Sequence, residues 1–146
     1  MMPFKQETVE AFDRSLVRIT DKFLEPPIMI KICSSDSVIG TLGNFSASTG
    51  KAKSRKTFNV ISLIASALSG KQILQYRVEV PRNSPMVLYC DTEQGKYHCH
   101  RLLSRVYKLI GYPTTEVHEN LNFIALREYP TKERINIIEY ALFKYA

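Results

Sequence analysis

The chain has 146 residues, 45% of them apolar, which suffices for one domain with its own core. Its formal net charge of +6 favours an anionic partner such as a nucleotide or a nucleic acid. The chain lacks a leader pattern of charged, apolar and small residues, and no apolar run reaches the ~18 residues of a membrane span. An odd cysteine count argues against a secreted disulfide framework, so the expected location is the cytoplasm, away from membranes.

Val9, Phe12, Leu16, Ile19 and Phe23 recur three or four positions apart and predict an amphipathic helix over about 5–23. Pro26 and Pro27 end it, leaving residues 1–27 as an N-terminal helix and linker. Ile28 to Cys33 reads as a strand, Ser34 to Ser37 as a turn, and Val38 to Leu42 as a second strand that feeds the loop beyond it. Thr57 to Leu68 is helical and apolar on nearly all sides, which predicts cover from several elements, with Gly70 as its stop.

Leu74, Tyr76, Val78 and Val80 alternate with polar residues, the pattern of a half-exposed strand. Met86 to Cys90 is a continuous apolar run of the kind found in buried parallel strands. A helix follows over 96–110, with Leu102, Leu103, Val106 and Ile110 inward and Gly111 and Pro113 closing it. Leu121 to Leu126 is a further strand, and Thr131 opens a last helix with Ile135, Ile138, Ala141 and Leu142 on one face. This order predicts an α/β fold: a mostly parallel sheet with helices on both faces and ligands at the carboxyl ends of its strands.

The stretch Gly50-Lys51-Ala52-Lys53-Ser54-Arg55-Lys56-Thr57 has the spacing of the phosphate-binding pattern G-x-x-x-x-G-K-[ST], with Arg55 at the second Gly. Such a loop holds phosphate with inward backbone N–H groups and the positive end of a helix. Gly50 suits a sharp turn. Lys56 is expected to reach the terminal phosphates, and the Thr57 hydroxyl to join a Mg²⁺ shell. Lys51, Lys53, Arg55 and Lys56 crowd positive charge that an anion would relieve. Arg55 implies either a strained backbone or a modified loop, with its guanidinium as a further phosphate contact. The candidate nucleotide site is therefore Gly50, Lys53, Ser54, Arg55, Lys56 and Thr57.

The strand Val87-Leu88-Tyr89-Cys90 runs into Asp91-Thr92-Glu93-Gln94. Acids at this point suit a Mg²⁺ ligand, Asp91 beside Thr57, and a carboxylate that polarises the attacking water, Glu93. Acids also mark where any strand meets solvent.

Together, Gly50 to Thr57 and Val87 to Gln94 resemble the RecA/RepA-type P-loop ATPases. More closely, they resemble the ATPase-domain proteins of bacterial plasmids and mobilizable elements, especially of Bacteroides-type bacteria. The resemblance covers roughly residues 28–146. It implies a RecA-like core that binds ATP and Mg²⁺, with Lys56 and Thr57 at the phosphate and metal positions and Glu93 as the water-activating residue. It implies a DNA-processing role in replication or mobilization, with DNA as a further partner and a homo-oligomer in the full-length form. Two departures stand out. Arg55 replaces a Gly, and the family's Walker B strand would fall after residue 146, so the expectation is the N-terminal half of such a core. Turnover would then depend on the remaining half.

Two rivals are a non-catalytic nucleotide-binding or regulatory module and a basic nucleic-acid-binding module. His98-Cys99-His100 lies in a predicted helix, where neighbours point apart, so it does not read as a zinc site. Lys96, His100, Arg101, Arg105 and Lys108 form a basic helix surface, whose ordinary reading is a solvated face and whose rival reading is nucleic-acid contact; the ordinary reading of Tyr97 and Tyr107 is packing, not base stacking.

Overall fold

A computed structural model describes residues 3–51 and 55–145. It is a mixed α/β structure whose described part has four helices and two small sheets. Among the described residues no helix is long and apolar enough to cross a membrane.

Helix α1 (Gln6–Ser15) is shorter than its apolar periodicity predicts. None of its residues is buried, so nothing rewards a longer apolar stripe. Local bonds also compete at its end: Ser15 Oγ donates to the Phe12 carbonyl, and Asp21 accepts from Arg18 N in a separate turn.

The first sheet contains β1 (Ile28–Ile32), β2 (Ser37–Thr41) and β3 (Tyr76–Val78), in the order β2-β1-β3, with both pairings antiparallel. A short turn can join β1 to β2 only as a hairpin, so these strands cannot run parallel. Asp36 makes that turn at φ 53° and pairs with Lys31 at 3.0 Å. β3 is shorter than the alternation suggests. Ile73 and Tyr76 exchange backbone hydrogen bonds of 2.9 and 3.1 Å, so Leu74, at φ 53°, and Gln75 form a tight turn instead of strand.

The second sheet is the parallel pair β4 (Val87–Asp91) and β5 (Leu121–Ala125). The expected mostly parallel sheet is thus corrected to a three-stranded antiparallel sheet and one parallel pair.

Helix α2 (Lys56–Ser69) joins the two sheets, touching β3, β4 and α3 (Lys96–Ile110). This explains its apolar character on nearly all sides. Its Ile61, Ile64 and Ala65 meet Leu102, Val106 and Tyr107 of α3 and Leu121 of β5 in the core. Burying one such aliphatic side chain is worth roughly 1.5–3 kcal/mol. Gly70 (φ 63°) and Gly111 (φ 71°) end α2 and α3 in the left-handed conformation that glycine adopts without a Cβ clash. Helix α4 (Thr131–Tyr145) buries only Ala141, and Ile135, Leu142 and Phe143 of its apolar set stay exposed.

Candidate functional site

Ala52, Lys53 and Ser54 lie outside the described residues. Arg55 caps α2 at φ 62°, ψ 22°, the left-handed conformation that a glycine at this position would supply. The Asn59 N–H bonds to the Arg55 carbonyl at 3.1 Å, so the helix begins immediately after the strained residue. Among the described residues no side chain caps this end, and first-turn N–H groups of a helix are suited to an anion. Lys56 Nζ donates to the Gly50 carbonyl and, at 3.2 Å, to that of Lys51. An ammonium has three donors, and these bonds engage two of them with the start of the loop.

One expected connection differs. β2 does not run directly into the loop. It ends at Thr41 on the edge of the antiparallel sheet, and residues 42–50 cross from there to α2 without strand pairing. A hairpin edge strand points where its own partner dictates, and here that partner is β1.

The acidic turn sits at the carboxyl end of β4. Asp91 is only 6% exposed, and both of its carboxylate oxygens accept hydrogen bonds. Its Oδ1 accepts from the backbone N–H of Glu93 at 2.9 Å and of Gln94 at 2.8 Å. Its Oδ2 accepts from Tyr89 Oη at 2.9 Å. Burial, and then the hydrogen bond to Asp91, push the Tyr89 phenol well above its ordinary range, so it stays protonated and keeps donating. Tyr89 went unnoticed in the sequence, although the signal was there: residues two apart on a strand share a face. Glu93, by contrast, is exposed.

Thr57 and residues 89–94 line one cleft of about 200 Å³. The structure therefore brings Thr57, Asp91 and Glu93 to the same place from elements 34 and more residues apart in the chain. A larger hollow of about 590 Å³ lies elsewhere, on the outer face of the antiparallel sheet, beside the Lys31–Asp36 and Arg77–Glu79 ion pairs.

The oxygen donors of the small cleft suit Mg²⁺, which usually takes one or two protein oxygens and completes its shell with phosphate and water. Thr57 offers a hydroxyl, and Asp91 Oδ2 retains a lone pair beyond the Tyr89 bond. Among the described residues no group of three or more His, Cys, Asp or Glu could hold a metal by itself. His98 and His100 are exposed while Cys99 is buried, so the three diverge on α3. Burial raises the Cys90 and Cys99 thiols, which keeps both protonated and poor as nucleophiles.

The chain matches no protein-family model, no curated protein and no solved structure.

Proposed function

We propose that this chain is an ATP-binding domain of the RecA-like P-loop kind, taking Mg·ATP at the start of α2. The carrying observation is that Lys56 and Thr57 open an apolar helix whose Thr57 shares a cleft with Asp91 and Glu93. The positive helix end and Lys56 would hold the phosphates. Thr57 and Asp91 would hold Mg²⁺, which would neutralise charge on the phosphate oxygens. Glu93, exposed at the cleft, is the residue available to orient a water. The sequence resemblance supports a DNA-processing role in replication or mobilization.

Calorimetric titration with a slowly hydrolysed ATP analogue and Mg²⁺ tests this reading. Micromolar binding that disappears in Lys56→Ala is the expected result. Equal affinity in that variant, or no binding by the intact chain, rejects the site.

A second reading is binding without turnover. It is supported by Asp91, whose two oxygens already accept three hydrogen bonds that shape the turn. Analogue binding together with no phosphate release from ATP itself, with or without DNA, would select it.

A further inference from the structure

Acidic residues are absent from 37–78 and again from 94–115, and these two stretches hold ten of the chain's 20 lysines and arginines. The first stretch contains the phosphate loop. The second is essentially α3, which the nucleotide reading leaves without a role. The helix buries Cys99, Leu102, Val106 and Tyr107. At 3.6 residues per turn, positions 97, 101, 105 and 108 fall together on the opposite side. They are Tyr97, Arg101, Arg105 and Lys108, and all four are exposed, Tyr97 to 70%. The described ion pairs, Lys31–Asp36 and Arg77–Glu79, involve none of these cations. α2, the helix packed against α3, has no carboxylate of its own to offer.

We propose that this stripe of α3 is a binding surface for single-stranded nucleic acid, separate from the nucleotide cleft and independent of it. The three cations rise along the axis at about 6 Å and about 4.5 Å intervals on a rigid helix. A linear row of charges fits a linear polyanion better than a compact anion. Two of the three are arginines, which bind phosphate through a planar fork. The exposed phenol ring at one end supplies a stacking platform, which an unpaired base can use and a paired one cannot. The stripe carries no aliphatic or Phe side chain, so it lacks the apolar half of a membrane-surface helix.

The test is fluorescence anisotropy of a labelled 20-nucleotide oligothymidine across a salt series, with the same length of duplex in parallel. The intact chain is expected to bind with a steep loss of affinity as salt rises. Replacing Arg101, Arg105 and Lys108 together by Gln should weaken binding at least about tenfold and flatten the log–log salt slope by about 2, since each single-strand phosphate contact contributes about 0.7. Tyr97→Ala should weaken the single strand about tenfold and leave the duplex unchanged. Replacing both arginines by Lys should retain the slope, which separates lost charge from lost folding. Lys56→Ala should leave oligonucleotide binding intact. The proposal is overturned if the intact chain does not bind at low salt, or if the triple variant keeps affinity and slope. It is also overturned if oligoglutamate displaces the probe as well as unlabelled oligonucleotide does, or if anionic vesicles do so.

Discussion

Tyr89 Oη donates to Asp91 Oδ2 at 2.9 Å, two residues along the same strand, and fixes the carboxylate at the mouth of the candidate cleft. Asp91 in turn holds the N–H groups of Glu93 and Gln94. The position of Glu93 therefore depends on a buried acid that does not need to touch a ligand to matter. Asp91→Ala should strand two backbone donors and cost about 2–3 kcal/mol in chemical denaturation, whereas Tyr89→Phe removes one of three bonds and should cost about 1 kcal/mol.

The same pair predicts a pH dependence at the alkaline end. The Tyr89 pKa is raised in the folded chain above its unfolded value of about 10. The folded state thus favours the protonated phenol. Its contribution to stability is complete below pH ~10 and is lost progressively as pH rises above that value. Thermal melts between pH 8 and 11 should show a loss of stability above pH ~10 that Tyr89→Phe reduces. An identical decline in the variant would assign the alkaline loss to other groups.

Arg55 combines a backbone cost with a candidate ligand contact. A non-glycine residue at φ 62° carries a strain of about 1 kcal/mol. Arg55→Gly should raise the melting temperature of the free chain by a few degrees, in line with about 1 kcal/mol for a domain of this size. If the guanidinium also meets phosphate, the same variant should bind the ATP analogue more weakly. Greater stability with weaker binding is the signature expected in paired melting and calorimetry experiments.

Thr57 and Glu93 should separate binding from turnover. Thr57→Ala should lower analogue affinity about tenfold with Mg²⁺ present and have little effect in excess chelator. Glu93→Gln should leave affinity within about twofold and abolish any phosphate release. Loss of a hydrogen bond to a charged group typically costs ~1.5–3 kcal/mol, which sets the scale for Thr57. A Thr57→Ala effect that persists without metal would remove the hydroxyl from the Mg²⁺ assignment.

Ser66 joins α2 to the antiparallel sheet. It is fully buried, accepts from the Val78 N–H at 2.9 Å and donates to the Lys71 carbonyl at 2.6 Å. Ser66→Ala leaves the buried Val78 N–H without its partner and should cost about 2 kcal/mol in urea unfolding, although the change is only one oxygen.

Local pattern was a good guide where one element's own residues decide its form. The helix over 96–110 and the apolar strand ending at Asp91 match their expected ranges closely, because periodicity, Gly stops and apolar runs act within the segment. The phosphate-loop spacing and the acids of 91–93 were equally readable as letters. The helix over 5–23 was overextended, because Leu16, Ile19 and Phe23 repeat correctly but are exposed and gain nothing by remaining helical.

By itself, then, the sequence determined the number and kind of most elements, the basic loop and the acid-bearing strand end, since each follows from backbone preference and side-chain spacing along a few residues. Only the tertiary structure decided strand direction and company. β1, β2 and β3 pair antiparallel while β4 and β5 pair parallel, and pairing energy comes from residues far apart in the chain. It also decided that Asp91 is enclosed by its own turn while Glu93 stays exposed, and that Thr57 meets both at one cleft. Burial is a property of what packs around a residue, and no spacing along the chain encodes it.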